Sequence, residues 1–219
     1  MKREIIITSD GSSTIHLPEW NEQYHSKHGA IQEAKHVFIE SGLSLFSNKK
    51  ISILEIGFGT GLNSFITFLE APKFNLIVDY VGVEAYPVAP EEIAKLNYVS
   101  ELNAHNFQDV FKQMHQFKWE LQNKITTKFA LTKRNQFFNE INDENTFNLI
   151  YFDAFGARVQ PELWTEYIFK LMYNALKEGG ILVTYSAKGS VRRALQSVGF
   201  TVERLPGPPG KREMLRATK

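Results

Sequence analysis

Residues 51–63 read Ile51-Ser52-Ile53-Leu54-Glu55-Ile56-Gly57-Phe58-Gly59-Thr60-Gly61-Leu62-Asn63. The stretch opens as a short β-branched apolar run, the pattern of a buried strand. It then breaks into three glycines at every second position. It resumes with apolar residues at helical spacing through Leu69. Strand, glycine loop and helix follow in that order. Glycine lacks a Cβ, so such a loop reaches positive φ and lets a ligand lie against bare backbone. The helix start adds free N–H groups and the positive end of a dipole. Spacing separates the candidates. A dinucleotide fingerprint would need its third glycine at position 62, which is Leu62, and a phosphate loop would need Gly-Lys-Ser/Thr after Gly61.

What remains is Glu55-x-Gly57-x-Gly59-x-Gly61. This resembles the first motif of the S-adenosylmethionine-dependent methyltransferases with a Rossmann-like fold. The resemblance implies a loop of Gly57, Gly59 and Gly61, followed by Asn63, wrapped around the methionine part of the cofactor. It also implies an acid, Glu55, near the cofactor's positive end. A plain tight turn in another α/β protein is the competing reading of the same residues.

The 219 residues suit one α/β domain with a small extension, and 43% hydrophobic content suffices for a full core. Apolar runs are too short to cross a bilayer, and the N-terminal one is too short for a signal peptide. There are no cysteines, which excludes disulfides, thiolate metal sites and a Cys nucleophile, and the default compartment is the cytoplasm. His25, His28 and His36 lack partners at metal-ligand spacing, so no metal is expected. The net charge is +1, yet residues 187–219 carry eight Lys/Arg against two Glu. A basic C-terminal face fits an anionic substrate such as nucleic acid, and it equally fits a solvated surface.

Along the chain, two β-type runs flank Ser9-Asp10-Gly11-Ser12, a hairpin signal. A helical pattern over 31–38 follows, so residues 1–48 read as a hairpin and cap helix belonging to the same domain as the methyltransferase unit at 49–219. Residues 76–84 read as the second core strand, ending in Glu84, 23 residues after Gly61. A carboxylate at that strand tip can accept from both hydroxyls of a ribose; a capping or exposed Glu is the alternative. Helical crossovers are expected at 91–98 and 101–117, and a third strand at 125–132. The family usually places an adenine-binding Asp after this strand; here the position falls on Arg134-Asn135-Gln136, so Asn135 is the candidate. Residues 147–153 form the clearest fourth strand and deliver Asp153 to the carboxyl edge of the sheet, where open α/β folds bind ligands. A helix over 161–176, a strand over 181–186, a helix over 190–198 and strands at 200–203 and 213–217 complete a sheet of about seven strands with helices on both faces.

The second half narrows the resemblance. Phe152-Asp153-Ala154-Phe155, Pro161-Glu162-Leu163-Trp164-Thr165, the run from Thr184-Tyr185-Ser186 to Leu195, and Gly210-Lys211-Arg212-Glu213-Met214 are similar to the methyltransferase half of a bacterial bifunctional family. That family makes 5-methylaminomethyl-2-thiouridine at the tRNA wobble position. The likeness reaches Tyr24, Gly29 and Glu33 in the cap and is thinner from 100 to 145. It implies methylation of a primary aminomethyl group in a tRNA anticodon loop, with a separate flavin-dependent oxidase acting upstream. Asp153 would orient the amine and take a proton from it, or it would merely cap the next helix. Phe155 and Tyr185 would wall the uridine pocket, or pack in the core. Tyr24 would contact cofactor, and Glu33 substrate. Arg192, Arg193, Lys211 and Arg212 would hold phosphates. Three rivals stay open: an aminopropyltransferase, disfavoured because 154–160 hold no second acid and carry Arg158; another amine methyltransferase; and a cofactor-free RNA-binding protein of the same fold.

Overall fold

The computed structural model describes residues 2–219. The N-terminal segment forms a small antiparallel sheet of β1 (Glu4–Ile7), β2 (Ser13–Leu17) and β3 (Glu22–Gln23). Asp10 shapes the expected hairpin. Its Oδ1 accepts from the Thr8 hydroxyl and Ser12 N–H, and its Oδ2 accepts from Gln32 N–H in α1 (Ala30–Ala34). One carboxylate thus closes the turn and fastens the cap helix, which continues as π-helical turns over Lys35–Glu40.

The main sheet is built from β4 (Lys50–Ile56), α2 (Leu62–Glu70), β5 (Ile77–Val83), α3 (Pro90–Ile93), α4 (Tyr98–Glu101), α5 (Gln108–Gln116), β6 (Gln122–Thr126), β7 (Phe129–Arg134), β8 (Phe147–Phe152), α6 (Glu166–Ala175), β9 (Leu176–Thr184), α7 (Gly189–Ser197), β10 (Thr201–Pro206) and β11 (Glu213–Thr218). The strand order is β10-β11-β9-β8-β4-β5-β7-β6. The five central strands are parallel, β6 and β11 pair antiparallel with β7 and β9 at their edges, and β10 pairs antiparallel with β11, so it runs with the central strands. Parallel strands need both faces covered. In β8, Leu149 and Tyr151 join a cluster with cap residue Phe38 and α2 residue Phe65, while Ile150 and Phe152 join Phe169 of α6 and Leu195 of α7. The cap helix therefore covers part of the sheet itself.

Four expectations need correction, beginning with the helix expected at 91–98, which ends at Ile93 as α3 and restarts only at Tyr98 as α4. The sheet has eight strands. The stretch expected as one strand at 125–132 is a hairpin that turns at Thr127-Lys128, where Lys128 N–H donates to the Thr126 hydroxyl. β6 is an edge strand whose inward face is only half-buried and carries one apolar side chain, Ile125, too short a signal for periodicity to show it. The helix expected at 101–117 breaks at Asn103, whose φ is 53°, and resumes as α5. The helix expected over 161–176 begins as a 3-10 turn, restarts where Thr165 caps Ile168 N–H, and gives way to β9 at Leu176.

Candidate active site

The carboxyl ends of β4, β5 and β8 meet the cap across a cavity of about 1040 Å³. Its floor is the glycine loop. Gly57, Gly59 and Gly61 have φ of 90°, 48° and 72°, a region that penalises L side chains. A Cβ on Gly57 would lie 2.7 Å from the Asp153 carbonyl oxygen, so the loop and the end of β8 touch through bare backbone. Tyr24, from the cap, lies against Gly59 and stacks edge-on with Phe155 at 4.9 Å. Burial pushes its hydroxyl up to about 12.

Asn63, one residue into α2, organises the acids. Its Nδ2 donates to Asp153 Oδ2 at 2.8 Å and to Glu55 Oε1 at 2.9 Å. One amide thereby holds two carboxyls that would otherwise repel. Asn63 lines the cavity, and Glu55, expected at the cofactor, stands behind it outside the lining. Burial drives the Glu55 carboxyl well above the usual carboxylate range, against the pull of the Asn63 hydrogen bond. Asp153 lines the cavity, and burial, reinforced by the nearby Glu33 charge, raises it to about 7 against the pull of Asn63 and Lys211. A carboxyl poised near neutrality is suited to exchanging protons with a bound amine.

Glu84 ends β5 as expected and lines the cavity. Its Oε2 accepts from Gly59 N–H and its Oε1 from Tyr86 N–H, each at 2.9 Å, which fixes the carboxylate beside the glycine loop. Asn135 is placed otherwise. It does not line the cavity; its Nδ2 donates to the Glu84 and Ala85 carbonyls and braces the end of β5. The wall in its neighbourhood is formed instead by Tyr86 and Phe137, exposed and edge-on at 6.0 Å. Sequence reading passed over this pair, although two aromatics directly after two parallel strands were the available signal.

The other end of the cavity is made by the cap and the C-terminal hairpin. Glu33, 7% exposed, takes the Ser26 N–H on Oε2 and the Lys211 ammonium on Oε1. Lys211 also lies 3.8 Å from the centroid of the Tyr185 ring. The Tyr185 hydroxyl donates to the Ala154 carbonyl at 2.8 Å, next to Asp153. Phe155 packs between Trp20 and Tyr24. Of the expected phosphate binders, Lys211 is engaged by Glu33. Arg212 borders a shallow neighbouring depression with Lys188, while Arg192 is half-buried and Arg193 exposed on α7, away from the main cavity. Arg158 is likewise outside it: its guanidinium donates to Glu22 and the Trp20 and Asn21 carbonyls. Its charge therefore gives no argument against a cationic substrate. Among the described residues no group of acids and histidines could hold a metal ion, and no helix is long and apolar enough to cross a membrane.

Residues 94–219 match the family described as S-adenosyl-L-methionine-dependent methyltransferase. The chain belongs to that family. The methyltransferase is 33% identical over 88% of its length to a tRNA 5-methylaminomethyl-2-thiouridine biosynthesis bifunctional protein, MnmC, of Leptospira borgpetersenii, and 28% identical over 96% to that of Cupriavidus metallidurans. It spans 31% and 33% of those proteins, about a third of their length. The solved MNMC2 structure of Aquifex aeolicus matches with a TM-score of 0.79 at 25% identity, covering 99% of this chain and 69% of that one. Spermidine synthase of Thermotoga maritima shares the fold at a TM-score of 0.56 and 15% identity, over 98% of this chain and 72% of that one.

S-adenosylmethionine is thus the cofactor, and the residues fit it. The bare glycine floor leaves room for a ligand against the backbone. Asn63 Oδ1 is buried without a donor, as a site for an ammonium requires. Glu84 offers a fixed carboxylate to a ribose, and Tyr86 with Phe137 offers ring faces to a base.

Proposed function

We propose that this methyltransferase N-methylates the aminomethyl group of 5-aminomethyl-(2-thio)uridine at the wobble position of tRNA, in the cytoplasm. The observation that carries the reading is Asp153, a half-buried, cavity-lining carboxyl raised to about 7, where the glycine loop meets the cap pocket. The names of the relatives supply the uridine and the tRNA. When bound, S-adenosylmethionine supplies an electrophilic methyl group. The protein does the rest. Gly57, Gly59, Gly61, Asn63, Glu84 and Tyr24 hold the cofactor. Ionised Asp153 accepts a proton from the substrate ammonium at a carboxylate oxygen and leaves a neutral amine with a free electron pair, oriented for in-line attack. Phe155 and Tyr185 wall the uridine. A wobble base lies in a loop, so it can be splayed out without opening a duplex. Arg193 and Arg212 meet phosphates, with Arg192 supporting α7. A flavin-dependent oxidase activity generates the free aminomethyl group upstream.

The deciding experiment combines labelled S-adenosylmethionine with bulk tRNA from cells lacking this gene, followed by nucleoside analysis. Label in 5-methylaminomethyl uridine is the expected result. No label in tRNA, with cofactor binding intact, removes the tRNA assignment.

A further inference from the structure

The Lys211 ammonium occupies an unusual place for a surface-loop lysine. It bonds the Glu33 carboxylate at 2.5 Å and lies over the Tyr185 ring at 3.8 Å. A carboxylate and an aromatic face around one cation are how proteins recognise ammonium ligands. The cage is rigid. Glu33 is buried and held by Ser26 N–H; Tyr185 is tethered to the Ala154 carbonyl. It lies close enough to Asp153 that Glu33 and Lys211 both act on the charge of that carboxyl. Beside Asp153, the buried and cavity-lining Asn63 offers an acceptor, Oδ1, that no protein donor reaches. Lys211 itself is the most exposed member of the cluster. Its side chain is 32% exposed, on a four-carbon stem, in the loop between β10 and β11. Both it and Tyr185 line the main cavity and also the adjoining depression with Lys188 and Arg212.

We propose that Glu33 and the Tyr185 ring form a subsite for the primary ammonium of the substrate, and that Lys211 fills this subsite from within until the substrate displaces it into the neighbouring basic depression. The proposal deepens the aminomethyl reading and rests on it for the identity of the amine. The incoming ammonium takes over the Lys211 contacts with Glu33 and Tyr185, which brings its N–H within the domain of Asp153. The released lysine joins Lys188 and Arg212, where an RNA phosphate is its natural counter-charge. An amine without an attached phosphate chain has to expel Lys211 without that compensation, so the device favours RNA over free amines. A self-ligand that fills the cage nine-tenths of the time weakens an incoming amine about tenfold.

The test compares wild type, Lys211→Met and Lys211→Met/Glu33→Gln by calorimetry with S-adenosylhomocysteine present. Two probes are used, butylammonium and 5-aminomethyluridine, with uridine as the amine-free control. Lys211→Met should bind both amines about tenfold tighter than wild type, with uridine unchanged, and the added Glu33→Gln should remove the gain. Unchanged or weaker amine binding by Lys211→Met, with S-adenosylhomocysteine affinity intact, overturns the placeholder role. A gain for butylammonium without one for 5-aminomethyluridine upholds the ammonium subsite and rejects the uridine reading.

Discussion

Replacing Asp153 with Asn separates the two things this carboxyl does. An acid raised from 3.8 to about 7 binds its proton more tightly in the folded state than in the unfolded one. Between those values the native chain holds a proton that the unfolded chain has released. Stability therefore falls as pH rises from about 4 to 7 and is flat above. About three pK units at 1.36 kcal/mol each set a ceiling of about 4 kcal/mol, and relaxation around the charge brings the expectation to about 2–4 kcal/mol. An amide keeps an acceptor for Asn63 Nδ2 and never ionises. Asp153→Asn should match wild type near pH 4 and exceed it at pH 8 by that amount, a rise of roughly 5–12 °C in Tm for a chain of this size. Denaturation curves at pH 4, 6 and 8 measure it. Activity should move the other way, with turnover lost and S-adenosylhomocysteine affinity retained. Parallel stability curves for the two proteins would refute the burial argument, and equal loss of turnover and cofactor binding would refute the assignment of Asp153 as the base.

Because the ionised form of Asp153 is the active one, kcat/KM for wild type should rise with an apparent pKa of about 7, and a flat profile between pH 5.5 and 8 would exclude it as the base. Glu55→Gln should change cofactor affinity less than about threefold, since the side chain stands behind Asn63, outside the cavity lining, and an amide keeps an acceptor for Asn63 Nδ2; a larger loss in titration would show that its charge reaches the ligand. Gly57→Ala places a Cβ 2.7 Å from the Asp153 carbonyl oxygen at a φ of 90°, so it should cost about 1–3 kcal/mol and abolish cofactor binding by fluorescence titration. The double variant Arg193→Ala/Arg212→Ala should weaken tRNA binding and lower the salt slope by about one to two contacts, with S-adenosylhomocysteine affinity unchanged; an unaltered slope would move the RNA path elsewhere.

The sequence by itself determined the frame of this protein. Residues 51–63 could only be a buried strand, a bare-backbone loop and a helix, because β-branched runs, glycine spacing and helical periodicity are local properties. The same locality made Glu84 and Asp153 legible, since each ends an apolar run that has to be a parallel strand. Partnerships were not legible, because they join residues far apart in sequence through side-chain geometry. Asn63, which holds Glu55, reaches Asp153 across 90 positions, and Glu33 meets Lys211 across 178. Only the tertiary structure placed Glu55 behind Asn63, drew Arg158 to Glu22, and made Asn135 a brace for β5. The edge strand β6 was hidden for a related reason: with a single half-buried apolar side chain, Ile125, it leaves almost no periodic trace. Charge could be counted in the sequence, but which charge meets which, and how dry the meeting place is, was decided by the fold.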